Sequence, residues 1–416
     1  MRPAVFTFYS YKGGVGRTLL AANMAVALAR QGKTLLWDLD VEAPGLHRIN
    51  ELRSAAAVKG GFFDWLIHWQ TNKTRPPGPE DLKLFDNFLY ETPFEDLALL
   101  PAHADKADAA QQYFQIDWAD LLSADPQRAR DLFDELIDHL GELGYRHVLL
   151  DSRTGLTDLG ALISGAIPDA TILVGGYAPQ NLGGMAQVWK SLKKNATAQS
   201  PLRQSKGSRP RGDLRLFPVA SPIPQDDPGL CAAGKSAWAT EFEIGLTAVR
   251  EIPYERDLPF TESLLINLPQ RKIAKAYEEI ATDLAAFAQT LFEEETAARQ
   301  QKDARPDLFN GGMSGKGSDE DPRFSRSNQG KRFEQRVADL LRLLGYSVEP
   351  EQLIDSNRVD LVARIRSGLD DLTYLVECKD HAAAVGKQTV QDLKSVVALP
   401  PACRPWLHRG SPGGRG

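Results

Sequence analysis

The stretch Ala4-Val5-Phe6-Thr7-Phe8-Tyr9-Ser10-Tyr11-Lys12-Gly13-Gly14-Val15-Gly16-Arg17-Thr18 decides how this chain is to be read. An apolar run leads into a glycine-rich turn, and a helical pattern leads out. Leu19, Leu20, Asn23, Met24, Val26, Ala27 and Leu28 keep a broad apolar face, and Gly32 supplies the stop. The first N–H groups of a helix lack intrahelical partners and carry the positive end of its dipole, so such a strand–turn–helix is a ready anion site. The usual phosphate loop reads G-x-x-x-x-G-K-[ST]: its amides cradle phosphates, its lysine reaches the terminal ones and its hydroxyl holds magnesium. Here Gly13, Gly14, Val15 and Gly16 supply the cradle, and Gly16 and Thr18 fit the pattern. Tyr11 stands where the first glycine belongs, Lys12 comes early, and Arg17 takes the usual lysine position. Arginine keeps the charge but spreads it over a planar fork.

Working outward, short apolar runs alternate with helical patterns. Strands are expected at Val5–Tyr9, Thr34–Asp38, Leu97–Leu100, His147–Asp151, Ala170–Val174 and Leu214–Ala220, with a helix at Arg128–Leu143. This alternation implies an α/β fold: a mostly parallel, doubly wound sheet with helices on both faces and ligands outside the carboxyl ends of the strands. The segment Glu51–Pro93, with Trp65 and Trp69 at helical spacing, reads as a helical insertion whose tryptophans serve the core or an interface. A long helix from Gln270 to about Gln300 closes this first domain, expected over 1–300. Residues 301–328 are Gly-, Ser-, Asp- and Arg-rich and read as a flexible linker.

Composition narrows the classes. The 416 residues carry a net charge of −6, and any nucleic-acid contact must therefore use local basic patches. Lys193, Lys194, Arg203, Lys206, Arg209 and Arg211 make one such basic, Ser/Pro-rich segment, read as a solvated loop with phosphate contact as the alternative. The 3 cysteines form no C-x-x-C pair and the 7 histidines show no ligand spacing, which argues against a disulfide framework or a zinc knuckle. No apolar run is long enough for a membrane span and no signal-peptide core precedes the first strand, so a cytoplasmic location without membrane contact is expected.

Carboxylates gather at the strand ends beside the loop. Asp38 and Asp40 close one strand in Leu-Trp-Asp-Leu-Asp, and Asp151 closes another in Val-Leu-Leu-Asp-Ser-Arg-Thr-Gly. Hard oxygens at this place suit a magnesium nucleotide. Taken together, Lys12-Gly13-Gly14-Val15-Gly16-Arg17-Thr18, Asp38-Leu39-Asp40 and Asp151-Ser152-Arg153-Thr154-Gly155 resemble the deviant Walker A ATPases of the ParA/MinD class. Leu99-Leu100-Pro101-Ala102 and Ile252-Pro253-Tyr254 fit the same pattern, and the resemblance covers roughly the first 295 residues. It implies a P-loop NTPase fold that binds ATP and Mg²⁺ and forms an ATP-dependent homodimer. It also implies roles: Lys12 reaches the partner's phosphates, Thr18 ligates magnesium, Asp38 or Asp40 positions the attacking water, and Asp151 is the Walker B carboxylate. Arg17 departs from the class, so binding rather than fast turnover is implied.

A second constellation lies near the C-terminus. Val359-Asp360-Leu361 is followed by Leu375-Val376-Glu377-Cys378-Lys379. Residues i and i+2 of a strand share a face, so Glu377 and Lys379 can serve one site, with Asp360 brought beside them by a hairpin turning around Ser367–Asp371. Two carboxylates and an ammonium are the groups that metal-assisted phosphodiester hydrolysis needs. Cys378 reads as a small buried strand residue rather than a nucleophile. The stretch resembles the Mrr-type restriction endonuclease domain, of PD-(D/E)xK fold. Asp360, Glu377 and Lys379 match its catalytic set, Asp360 and Glu377 its metal ligands, Glu334 its first-helix carboxylate, and Gln388 a polar position opening the next helix. Gly330–Glu334 would open the first helix and Leu344–Val348 would close it.

The second domain is therefore expected over 329–399, a smaller α/β unit. After Pro400 the chain runs Pro-Ala-Cys-Arg-Pro-Trp-Leu-His-Arg-Gly-Ser-Pro-Gly-Gly-Arg-Gly, where the family continues into a strand and helix. Residues 400–416 read as an unstructured tail and the domain as truncated. The expected function is an ATP-gated, Mg²⁺-dependent DNA endonuclease of restriction or defence type. The alternative is a partition- or positioning-type ATPase whose second domain binds DNA or a partner without cutting.

Overall fold

A computed structural model describes residues 1–54, 57–72, 77–104, 115–118, 121, 126–155, 158–198, 200, 203, 212–258, 263–303, 338, 347–354, 357–367 and 370–376. The chain divides into two compact units.

The first unit is built on an eight-stranded sheet in the order β3-β4-β2-β5-β1-β6-β7-β8. The strands are β1 Ala4–Tyr9, β2 Thr34–Asp38, β3 Tyr90–Glu91, β4 Leu97–Leu100, β5 His147–Asp151, β6 Ala170–Gly175, β7 Arg215–Ile223 and β8 Arg250–Pro253. Every pairing is parallel except β3 with β4. β1, β2, β4, β5 and β6 are buried along their whole length. That explains their continuous apolar sequences, since a parallel sheet covered on both faces has no solvent side.

Alternation within those strands assigns the faces. Phe6, Phe8 and Leu36 enter one core with helix α1 Arg17–Ala29 and a long helix over Lys272–Asp303. Val5, Leu35 and Trp37 enter another with α2 Phe62–Asn72, α3 Pro79–Asp86 and α4 Pro126–Glu142. Successive strand side chains point to opposite faces, so one run of sequence feeds both layers. A third cluster joins α6 Pro179–Lys194 and α7 Pro228–Glu241 to β6 and β7. Between α4 and α6 in the chain lies the short helix α5 Asp158–Ala161; the helix over Lys272–Asp303 is α8.

Glu51–Pro93 holds α2 and α3 as anticipated, and Trp65 and Trp69 are core residues, 0% and 2% exposed. Its end is not helical: β3 adds to the sheet edge through Tyr90 and Glu91. β8 is likewise a strand that periodicity does not signal, because Arg-Glu-Ile-Pro mixes charge and proline at an edge. Of the basic segment read as a solvated loop, Lys193 and Lys194 instead end helix α6, Lys206, Arg209 and Arg211 lie outside the described residues, and Arg203 is not solvated. It is 1% exposed, and its guanidinium donates to the carbonyls of Gly165, Pro168 and Gly212.

In the second unit, β9 Ser347–Ile354, β10 Asn357–Ser367 and β11 Asp370–Val376 form an antiparallel sheet in the order β11-β10-β9. Ser347 and Val348, expected at the close of a helix, instead pair with Arg364 and Ala363 in β9. The strand follows from Ser-Val-Glu-Pro-Glu-Gln-Leu-Ile, which has β-branched Val348 as its second residue and Ile354 as its last, and no helical stripe.

Candidate functional site

β1 lies between β5 and β6, and the chain runs out from it in both directions across the sheet. A crevice at the carboxyl ends of the strands is the natural ligand place at such a reversal of strand order. The loop 10–16 occupies this end. Gly14 and Gly16 have φ of 74° and 76°, a left-handed backbone that a side chain would strain, and Gly16 is the N-cap of α1. No side chain caps this helix. Added Cβ atoms at Gly13 and Gly14 would meet nothing within 4 Å, so the loop faces open space. α1 itself is nearly all buried, which fixes the direction of its N-terminus.

Lys12 is exposed and its ammonium donates to Gln180 Oε1 at 2.8 Å, at the start of α6. Val15 is buried and anchors the loop. Arg17, only 6% exposed, turns the other way. Its Nε donates to Asp151 Oδ1 at 2.7 Å, and its Nη2 to Asp40 Oδ2 at 3.1 Å and to Thr18 Oγ1 at 3.2 Å. Its Nη1 is buried without a hydrogen-bond partner among the described residues. Burial opposes the guanidinium charge, but Asp151 and Asp40 outweigh it and hold the pKa above the ordinary arginine range. Removing one partner of such a buried pair costs about 3–5 kcal/mol, because the other charge is left uncompensated.

Asp38 pairs in register with Asp151 across β2 and β5. Its Oδ1 accepts from the Asp40 amide at 3.0 Å, and its Oδ2 from Gly45 and Leu46 at 3.2 and 3.4 Å. It therefore shapes the turn after β2. Burial pushes its carboxyl up to about 8, the Asp151 charge adds to this, and the Asp40 and Leu46 amides oppose it. Asp151 is pushed up by burial, while Arg17 and the Thr18 hydroxyl draw it down. The 2.7 Å contact to Nε is that of an ionised pair. Among the described residues Asp38 pairs with no cation, and burial beside the Asp151 charge disfavours its ionised form. Asp40, 8% exposed, stands nearest to solvent of the three and also accepts from the Ala43 amide.

The turns after β2 and β5 are tied together by the Arg153–Glu42 ion pair at 2.5 Å. Lys12, Gly13, Gly14, Val15, Gly16, Arg17, Thr18, Asp38, Asp40 and Asp151 thus share one end of the sheet. Sequence reasoning missed Gln180 and Glu42, which no local signal marks.

Among the described residues, no cluster of three or more His, Cys, Asp and Glu can hold a metal. Magnesium does not need one, since it keeps waters and takes one or two protein oxygens beside the phosphates. The uncapped helix, the open glycine cradle and the unpartnered Nη1 fit a polyphosphate, and Thr18 and Asp151 fit its cation.

In the second unit, Asp360 lies in β10. The β10–β11 register ends at Leu361 with Val376; Asp360 and Glu377 are each the next residue in sequence beyond that pair. Glu334, Glu377, Lys379 and Gln388 lie outside the described residues, as do Cys378, the tail 400–416 and all of the expected linker 301–328 except residues 301–303, which are helical and end α8.

The CobQ/CobB/MinD/ParA nucleotide binding domain matches residues 6–346, and the chain belongs to that family. A restriction endonuclease family matches residues 325–407. The protein thus joins a nucleotide-binding domain of ParA/MinD type to a smaller endonuclease-like one. Solved structures similar to it include the septum site-determining protein MinD of Pyrococcus horikoshii OT3 complexed with Mg-ADP, at 19% identity, 69% coverage of this chain and 97% of that one, with a TM-score of 0.47. A ParA family ATPase from Chlorobium tepidum TLS shows 18% identity, 68% and 98% coverage and a TM-score of 0.45. Apo McdA of Cyanthece shows 14%, 67% and 99%, with a TM-score of 0.47. No curated protein matches the chain. No helix among the described residues is long and apolar enough to cross a membrane.

Proposed function

We propose that the first domain binds ATP with Mg²⁺ and pairs with a second copy, and that this state licenses a Mg²⁺-dependent DNA endonuclease in the second domain. The observation that carries the reading is the loop itself: an uncapped helix N-terminus and an open glycine turn, with an exposed Lys12 on one side and buried carboxylates on the other. The amides of Gly13–Thr18 bind and orient phosphate oxygens, and Lys12 reaches the nucleotide of the partner copy. Thr18 and Asp151 hold the cation, whose chemistry when bound is charge neutralisation at the phosphates. Asp40 orients water at the solvent edge.

For the second domain the support is the match to restriction endonucleases and the hairpin register, which ends one residue short of both Asp360 and Glu377. Asp360 and Glu377 hold a second Mg²⁺, and Lys379 stabilises charge on the phosphodiester. Glu334 and Gln388 complete that set. The role is cytoplasmic restriction of foreign DNA. ATP-dependent pairing brings two nuclease domains to one duplex, as cutting both strands demands.

The test is plasmid cleavage with Mg²⁺, with and without ATP. Wild type is expected to cut only with both, Lys379→Ala to bind ATP and not cut, and Lys12→Ala to bind ATP without stimulated cutting. Cutting that survives Lys379→Ala overturns the nuclease assignment. Cutting indifferent to ATP overturns the gating. ATP-dependent DNA binding without nicking would instead support a partition-type ATPase.

A further inference from the structure

The direction of Arg17 deepens the proposed nucleotide-binding reading and rests on it. The two groups that fit the magnesium of this domain, Thr18 Oγ1 and the Asp151 carboxylate, both contact the same guanidinium, at 3.2 and 2.7 Å. Asp40 contacts it as well, at 3.1 Å. The positive charge of Arg17 therefore stands against the oxygens that a divalent cation would take. Two carboxylates, Asp40 and Asp151, meet one fixed cation here, and that cation is part of the chain.

We propose that Arg17 is an internal counter-ion that closes the magnesium position until nucleotide arrives, so that metal enters only together with a polyphosphate. Its geometry provides for the exchange. Nε and Nη2 are engaged by the carboxylates and Thr18, whereas Nη1 is buried with no partner among the described residues, an unsatisfied donor on a side chain only 6% exposed. A phosphate oxygen at the N-terminus of α1 gives that donor an acceptor. It also supplies negative charge in the form that a planar guanidinium binds best, through paired N–H groups. Turning toward phosphate, the guanidinium uncovers Thr18 and Asp151 for the metal. A lysine at this position bears one compact charge and cannot hold Asp40, Thr18 and Asp151 through separate nitrogens.

The experiment reads Mg²⁺ binding to the full chain without nucleotide, by calorimetry and by the shift in melting temperature. The comparison is made on an Asp360→Ala background, which removes the magnesium ligand proposed for the second domain, and nucleotide-free protein with Arg17 in place is expected to show neither heat nor shift. Arg17→Gln, which leaves the carboxylates without their counter-ion, is expected to bind Mg²⁺ alone at least about tenfold more tightly and to be stabilised by it. Arg17→Lys, which keeps the charge and guards against loss of fold, is expected to fall between the two. Mg²⁺ binding by the nucleotide-free protein with Arg17 in place as tight as by Arg17→Gln overturns the proposal, and so does an Arg17→Gln or Arg17→Lys protein as indifferent to Mg²⁺ as the one with Arg17. Failure of wild type to bind ATP with Mg²⁺ would overturn the nucleotide-binding reading instead, a separate measurement that leaves the metal-only result to judge Arg17.

Discussion

His147 shows how one side chain can set the acid limit of the first domain. It opens β5, is 2% exposed, and its Nδ1 lies 3.1 Å from Thr34 Oγ1. Burial, aided by the Arg146 charge, lowers its pKa from 6.5 to about 4. The folded state binds the proton less well than the unfolded state, so stability is intact above pH 6.5 and is lost as pH falls toward 4. The share of urea-unfolding stability that belongs to His147, read as wild type minus His147→Gln, is expected to be roughly 2 kcal/mol smaller at pH 5 than at pH 7.5, at about 1.4 kcal/mol per pH unit, while the raised Asp38 carboxyl works the opposite way in both proteins. His147→Gln should lack this increment of acid sensitivity; an identical pH slope in both proteins would contradict the assignment. Arg17 and Arg203 teach a related lesson. Their charge is plain in the sequence, yet each is buried, one on carboxylates and the other on carbonyls. No local pattern around Arg203 separates it from its solvated-looking neighbours.

At the scale of elements, α6 and the phosphate loop are fitted to each other. A Cβ built on Gly184 of α6 would lie 2.1 Å from the Tyr11 ring, so the helix passes the loop at glycine contact distance. Tyr11 is the residue that replaces the usual first glycine, and α6 holds it from outside. Gly184→Ala is expected to push Tyr11 aside and weaken ATP binding several-fold while leaving the helix content by circular dichroism unchanged. Adding Tyr11→Ala should restore part of that loss; strictly additive losses would mean that the two positions do not couple. Elements were legible in proportion to their burial. The five fully buried strands announce themselves as apolar runs, whereas β3, β8 and β9 carry mixed sequences. Their strand character comes from a neighbouring strand's unpaired backbone groups.

At the scale of the whole molecule, exposure of Lys12 matters most. Within its own chain it meets Gln180 at the surface, a contact that costs little to exchange. Sedimentation velocity is expected to show wild type as a monomer without nucleotide and a dimer with ATP and Mg²⁺. Lys12→Ala should bind ATP yet stay monomeric, and a Lys12→Ala dimer as stable as wild type would remove the lysine from the interface. Such pairing would give the endonuclease-like domain two copies at one DNA site, which is how a nucleotide switch in one domain can govern chemistry in another.

Sequence by itself determined the strand–loop–helix, the alternating α/β order and the carboxylates at strand ends, because these depend on spacing, side-chain period and glycine's backbone freedom, all of which are local. It also carried both family matches. What only the tertiary structure decided is where the loop's arginine goes: Arg17 meets Asp40 and Asp151, 23 and 134 residues away, when β2 and β5 pair in register. A charge in a sequence has a sign but no direction. Direction comes from which opposite charges the fold buries within reach, and here that places a guanidinium of the chain against the oxygens suited to magnesium.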